Sequence, residues 1–351
     1  MAPREVSDRR PLDSARGEQA PALRFGLIGC GVMGRELGEA VKAGVAEGEL
    51  AAAFDPYRPN LDRFCADFGA RPADSLDGLL ASDDIGAVIL ASPSNRHHDQ
   101  TLAAAAAGKH VFCEKPMALS LADCDEMIAA CDRTAVKLMV GHSMRLYPLT
   151  KRLLEMAASG DLGAPLFAFG SYFFSGFNQR DSGIWHLDRA NSGGVLFHMG
   201  IHHIDLLNAM IGQARRVQYA GGRYGQQVHD FDDVASITIE YASGATAVLT
   251  VSGISPVSWR EFAFLFERGF VRLDSPWTYM EYGSAADRLT KIESGDLPAQ
   301  NAVETELRSF ARWVLHDEPP VFTGKEGRNA VAVAEAAQRA KETGAPAEVS
   351  R

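Results

Sequence analysis

The stretch Leu23-Arg24-Phe25-Gly26-Leu27-Ile28-Gly29-Cys30-Gly31-Val32-Met33-Gly34, "LRFGLIGCGVMG", decides how the first half of the chain is read. An apolar run ends in Gly-x-Gly-x-x-Gly, the signature of a strand turning directly into a helix. Gly29 makes the tight turn and Gly31 lets the backbone approach a pyrophosphate. Gly34 lets helix and strand pack closely, and Val32 and Met33 lie between them at the helix mouth. A helix N-terminus carries unsatisfied N–H groups and the positive end of a dipole, so an anion belongs there. Asp55 closes the next apolar run, 55 − 34 = 21 residues past the last glycine. At that separation a carboxylate accepts from a ribose 2′-hydroxyl and would repel a 2′-phosphate, which predicts NAD rather than NADP. Arg58, three residues on, could serve a phosphate if Asp55 turned away.

Outward from this motif, apolar strand candidates recur at Leu50–Phe54, Ala87–Ala91, His110–Cys113 and Leu138–Val140. Helical stretches such as Ser94–Ala107 and Leu121–Thr134 separate them, and Ser120 with Asp123 forms a capping-box-like start. Strands that are apolar throughout and spaced by helices predict a doubly wound parallel sheet over residues 22–143. After Pro148 the rhythm changes: a helix over Leu149–Ala158 stops at Gly160, and Leu166–Phe174 reads as a strand. "ASITIEY", the turn Ala242-Ser243-Gly244 and "ATAVLTVSG" make an antiparallel hairpin. Phe262–Glu267, Arg268-Gly269 and Phe270–Leu273 suggest a second. Helices over Glu304–Leu315 and Glu326–Glu342 close the chain, which predicts an α+β unit over 144–351 with a largely antiparallel open sheet.

The bulk numbers narrow the partners. With 351 residues, 46% of them hydrophobic, the chain can build two cores. A formal net charge of −10 argues against a nucleic-acid or anionic-membrane partner. Five scattered cysteines without a Cys-x-x-Cys pair indicate reduced thiols and a cytoplasmic setting. Residues 1–21 contain Arg9-Arg10, but polar residues and prolines come after them where an export signal needs an apolar run, so this segment is expected to be a disordered tail.

Two further motifs sharpen the picture. "ILASPSNRHHDQTLAAAAAGKHVFCEKPMALS" (89–120) puts Ser92, Pro93 and His97 after one strand and Glu114-Lys115-Pro116 after the next. "GGVLFHMGIHHID" (193–205) crowds His198, His202, His203 and Asp205 into one apolar segment. With the glycine motif, this set resembles the glucose–fructose oxidoreductase / inositol dehydrogenase / rhizopine-catabolism (Gfo/Idh/MocA) family, from about Leu23 to the final helix. The resemblance implies an N-terminal Rossmann domain and a C-terminal domain whose open sheet often joins subunits into a homodimer or homotetramer. It further implies NAD(P)-dependent oxidation or reduction of sugars, cyclitols and similar polyols. Ser92, Pro93, His97 and Glu114 then fall at the cofactor crevice. Lys115 matches the lysine that contacts the reacting hydroxyl and the nicotinamide ribose, in a family where the peptide before the following proline is often cis. Arg145 and Tyr147 match positions lining the substrate cleft. Trp185-His186 stands where many members have Trp-Arg, so a phosphate-binding role at that spot loses its arginine.

In the family the 193–205 segment usually reads Asp-x-Gly-x-His-x-x-Asp. His202 takes the family histidine's place, and His198 stands where the aspartate is expected. On a regular helix positions 198, 202 and 205 share one face, whereas His203 turns about 100° away and is a packing or surface residue. A His-x-x-x-His face with an acid could hold zinc, but the glutamate of a His-Glu-x-x-His site is missing and a lysine-based hydride-transfer site needs no metal. The proton-carrier reading makes His202 and His198 catalytic candidates beside Lys115 and has the hydroxyl proton pass to Lys115 or His202, with Asp205 holding the His202 ring or capping a neighbouring segment. Two other functions fit the same motifs: an NAD-dependent glycosidase without net redox change, and a non-catalytic NAD(P)-binding regulator. Gln179, Arg180 and Asp181, in the loop over 174–191, are further candidates for hydroxyl recognition.

Overall fold

The computed structural model describes residues 22–44, 47–175, 185–225, 229–274, 278–284 and 289–351. The tail over 1–21 and Gln179, Arg180 and Asp181 lie outside the described residues. The first sheet is wholly parallel, in the order β3-β2-β1-β4-β5-β6. Its strands are β1 Leu23–Ile28, β2 Gly48–Phe54, β3 Arg71–Pro72, β4 Ala87–Leu90, β5 His110–Glu114 and β6 Leu138–Gly141. Five helices alternate with them: α1 Val32–Lys42, α2 Arg58–Phe68, α3 Leu76–Leu80, α4 His97–Ala106 and α5 Leu121–Thr134. The continuous apolar runs have a plain cause, since both faces of this sheet are covered. Val88, Leu90 and Val111 pack into one core, and Ala87, Ile89 and Phe112 into the other.

The second half begins with α6 Pro148–Ser159 and β7 Pro165–Phe173, then the short α7 Arg189–Ser192. A turn of π-helix, Leu196–Gly200, runs into α8 Ile201–Ile211. The later strands are β8 Ala214–Gly222, β9 Val234–Tyr241, β10 Thr246–Ser252, β11 Trp259–Phe266, β12 Phe270–Leu273, β13 Tyr279–Gly283 and β14 Thr290–Glu293. Helices α9 Ala302–His316 and α10 Gly324–Thr343 and a short β15 Ala347–Glu348 complete the chain. The second sheet has the order β14-β13-β12-β11-β7-β10-β9-β8-β15. Both expected hairpins form, β9 with β10 and β11 with β12. The β7–β10 pair is parallel, because β7 enters mid-sheet from α6 rather than through a tight turn.

Period-two burial sets the faces of this sheet. Ala235, Ile237, Ile239, Ala247, Leu249, Phe262 and Phe264 point inward into the core that α8 and α10 cover. Phe167, Trp259 and Leu265 lie on the opposite, exposed face. Helix α9 turns back to the first sheet, where Phe310 meets Phe25 and Phe112 at ring separations of 6.4 and 5.8 Å. That return carries Glu306 beneath β5 and β6.

Candidate active site

The glycine loop is built as its sequence requires. Gly29 has φ +96°, and a Cβ there would lie 2.6 Å from the Ser92 nitrogen. A Cβ on Gly34 would lie 1.9 Å from the Gly29 carbonyl oxygen, so only glycine allows α1 this close to β1. Beside Gly31 a Cβ would meet nothing within 4 Å, which leaves open space at the uncapped N-terminus of α1. Asp55 is held at this loop: its Oδ2 accepts from the Cys30 N–H at 2.7 Å and its Oδ1 from the Tyr57 N–H at 2.8 Å. Open space before a helix N-terminus, with a fixed carboxylate beside it, fits a dinucleotide. Arg58 points elsewhere, its Nε 2.7 Å from Asp62 Oδ1 on its own exposed helix.

The loops after β4 and β5 are tied together. The His97 nitrogens face two carbonyls, Nδ1 that of Pro116 at 2.8 Å and Nε2 that of Ser92 at 2.9 Å. Burial lowers its pKa, so the neutral ring donates to one of the two. His97 therefore sets the position of the Ser92-Pro93 and Lys115-Pro116 loops, while Ser92 Oγ donates to Gln100 at 2.6 Å.

Lys115 follows β5 at its carboxyl end, and the Lys115–Pro116 peptide is cis. Its Nζ donates to the His198 carbonyl at 3.4 Å, bridging the two halves of the chain. Burial lowers the Lys115 pKa; Glu114 and Glu306 pull it up, and Arg260 pushes it further down. Glu114 Oε2 accepts from the Lys115 backbone N–H at 3.1 Å. A Cβ on Gly141 would stand 3.3 Å from Glu114 Oε1 and 3.4 Å from Glu306 Oε1, so the two carboxyls converge over that glycine. Burial raises Glu114 to about 7 and carries Glu306 well above the usual carboxylate range. Glu306 Oε2 is buried with no hydrogen-bond partner among the described residues.

Sequence reading missed Glu306. Its signal was present: α9 buries Val303, Glu306, Leu307 and Phe310 at spacings of three and four, and one member of that stripe is a carboxyl.

The histidines separate by neighbourhood. His198 lies on the π-helical turn, its ring stacked on His186 and edge-on to Trp185, both at 5.4 Å. His202 meets His142 edge-on at 6.4 Å, and its Nδ1 is buried without a hydrogen-bond partner among the described residues. Burial, reinforced by the Lys115 charge, holds both His198 and His202 well below the ordinary imidazole pKa. His203 is a packing residue, stacked between Tyr172 and Phe262 at 5.0 Å from each ring.

Two expectations are corrected. Asp205 does not hold the His202 ring: its carboxylate takes the Arg145 guanidinium, with Nε to Oδ2 at 2.7 Å and Nη2 to Oδ1, and lies 3.7 Å from His142 Nδ1. Arg145 is accordingly turned inward to neutralise a fully buried carboxylate. Positions 202 and 205 keep the regular spacing within α8, whereas the interval from 198 to 202 crosses the π turn, which winds more residues per turn than a regular helix. Tyr147, half-buried at the start of α6, has its phenol pKa raised by burial and shares the electrostatic surroundings of Glu306 and Arg260. No group of three histidine, cysteine or acidic side chains among the described residues is arranged to hold a metal ion.

Comparison with known proteins matches these two halves to family models. Residues 23–142 match the oxidoreductase family with an NAD-binding Rossmann fold, and residues 150–272 match the GFO/IDH/MocA C-terminal domain. The 2,7-anhydro-N-acetylneuraminate hydratase of Mediterraneibacter gnavus is 30% identical over 258 residues, 71% of this chain and 67% of the relative. The myo-inositol 2-dehydrogenase of Thermotoga maritima is 27% identical over 330 residues, 91% of this chain and 96% of the relative. Among solved structures, a levoglucosan dehydrogenase in complex with NADH and levoglucosan superposes with a TM-score of 0.86 at 19% identity, covering 94% of this chain and all of that one.

Proposed function

Because the chain belongs to the Gfo/Idh/MocA oxidoreductase family, we propose that it moves a hydride between NAD and a carbinol carbon of a sugar, sugar derivative or cyclitol, with Lys115 handling the hydroxyl proton. The observation that carries this reading is a half-buried lysine at the carboxyl end of a parallel strand, its Nζ on the His198 carbonyl and its pKa lowered by desolvation, close to the imidazoles of His198 and His202. When bound, NAD supplies the acceptor for the hydride leaving the carbinol carbon. The residues of the chain do the rest. The α1 N-terminus and Asp55 anchor the dinucleotide, and Asp55 disfavours a 2′-phosphate, so NAD is preferred over NADP.

In oxidation the carbinol O–H gives its proton to Lys115 Nζ as the carbonyl forms; reduction returns it. A lysine of ordinary pKa would be protonated and unable to accept; burial and Arg260 make the neutral amine accessible. Burial holds the His202 pKa below the ordinary imidazole value, which favours a neutral ring that hydrogen-bonds the reacting oxygen. The His198 carbonyl aims the Lys115 amine. Ser92, Pro93 and Glu114 border the nicotinamide end of the crevice, and Trp185, His186 and Tyr147 wall the cleft. The exposed face bearing Phe167, Trp259 and Leu265 joins copies of the chain into a homo-oligomer.

A second reading is favoured by the hydratase relative: an oxidation–elimination–hydration–reduction sequence that returns NAD unchanged. Absorbance at 340 nm, recorded with sugars, anhydrosugars and inositols under both cofactors alongside product analysis, decides between them. Net NADH supports the dehydrogenase. Product without NADH supports the redox-neutral enzyme. Neither product nor NADH from any member of the panel overturns the catalytic reading.

A further inference from the structure

Arg260 is the second residue of β11, and its neighbours fix where it points. In the register with β7 it pairs with Tyr172, while Phe262 pairs with Gly170 and Phe264 with Ala168. Phe262 and Phe264 are buried under α8, so Arg260, two residues before Phe262, shares the inward face. It stands one step beyond the core, beside the last residues of β7. Its guanidinium carbon lies 4.3 Å over the Tyr172 ring, and its Nη2 donates to the Tyr172 hydroxyl at 2.9 Å. The Tyr172 ring in turn stacks on His203, the neighbour of His202.

Among the half-buried arginines of the described residues, what sets Arg260 apart is its partner. Arg145 holds Asp205, Arg216 holds Glu240, Arg272 holds Glu261, Arg312 holds Glu318 and Arg328 holds Asp125. Arg260 has no carboxylate partner among the described residues, although Glu261 is adjacent and goes to Arg272 on the other face. A half-buried guanidinium whose charge reaches a half-buried lysine is a costly arrangement, since the two cations repel in a medium that screens poorly. The Arg260 charge bears on Lys115, His202 and Tyr147, groups of the cleft, and on the packing residue His203. An anion entering the cleft would offset that cost.

Resting on the hydride-transfer reading, we propose that Arg260 is the receptor for a carboxylate on the substrate, which makes the substrate class an acidic sugar rather than a neutral polyol. Tyr172 takes one face and one N–H of the guanidinium. The remaining edge presents paired donors in the flat fork that matches a carboxylate. The tyrosine stack fixes the plane of that fork, so little freedom is lost when the acid docks.

The test is calorimetric titration of the full chain, saturated with NAD, at physiological ionic strength. D-glucuronate, D-galacturonate and N-acetylneuraminate are compared with glucose, galactose, N-acetylmannosamine and glucose 6-phosphate. At least one acid should bind about tenfold or more tightly than its neutral counterpart, the range of a charge-assisted hydrogen bond. Arg260→Gln should remove that preference while NAD affinity and Tm hold. Arg260→Lys, which keeps the charge and loses the fork, should fall between and guards against a misfolded first variant.

Equal binding of acids and neutral sugars, stronger binding of the phosphate, or an acid preference that survives in Arg260→Gln overturns the proposal. So does the absence of binding by every acid. Absorbance at 340 nm on the same samples separates the two claims. Acid binding lost in Arg260→Gln without NADH leaves Arg260 in place and removes net oxidation. NADH from a neutral sugar without acid preference does the reverse.

Discussion

At the scale of single residues, the site is governed by what burial does to charge. Lys115, Glu114 and Glu306 share a pocket in which desolvation opposes every ionised form. A carboxyl whose folded pKa lies above its unfolded value, ordinarily about 4.3, stabilises the protein below that value and loses the contribution as pH rises through the folded pKa. Glu306 therefore weakens the fold from about pH 5 upward, and Glu114, at about 7, does so over the lower part of the same window. Glu306→Gln keeps the shape and removes the titration. Its Tm relative to wild type should become more favourable between pH 5 and pH 8, by on the order of 1 kcal/mol, or a few degrees. Thermal melts at the two pH values check this, and an equal Tm difference at both would show that Glu306 does not hold its proton. Lys115 was legible because it follows a strand inside a recognisable motif. Glu306 was not, because its importance comes from convergence over Gly141 with a residue 306 − 114 = 192 positions earlier.

At the scale of elements, regular periodicity was read well and its interruptions were not. The boundaries of α5 match the sequence reading, with Ser120 accepting from the Asp123 N–H at 3.1 Å as the expected cap. Alternation in β9 and β10 gave their hairpin because one face is buried and the other is not. The π turn at Leu196–Gly200 leaves no such mark, since its apolar residues suit either helical winding. That turn alters the winding between His198 and His202, while Asp205, on the regular α8, binds Arg145. Strands β13 and β14 escaped notice because they are short and mixed in polarity. The exposed side of β7 and β11 bears a prediction of its own. Phe167 and Leu265 pair directly across the strands and are 40% and 49% exposed. Apolar side chains standing together in water mark a docking face. Leu265→Asp should lower the native mass to that of a monomer in light scattering, whereas a wild-type protein that is already monomeric would remove the interface.

At the scale of the whole molecule, the two sheets meet where chemistry is possible. The parallel sheet delivers Lys115 from the carboxyl end of β5, and the second half delivers the His198 carbonyl, His202 and Arg260 from the π turn, α8 and β11. Fold class and family were legible because strand–helix alternation and spaced motifs are local properties of the chain. The electrostatic balance of the cleft was not, because Arg260, Glu306 and Lys115 come together only when both halves fold. The role of Lys115 is put at risk by one measurement, the turnover of Lys115→Met with a substrate identified by the cofactor screen, taken beside NAD binding by the same protein. Loss of the proton acceptor should cut kcat by roughly 10²–10⁴-fold, while the glycine loop and Asp55 keep NAD affinity at the wild-type value. A variant that binds NAD and turns over within about tenfold of wild type, below the range expected for general acid–base help, would contradict the assignment of Lys115 and the proton path built on it.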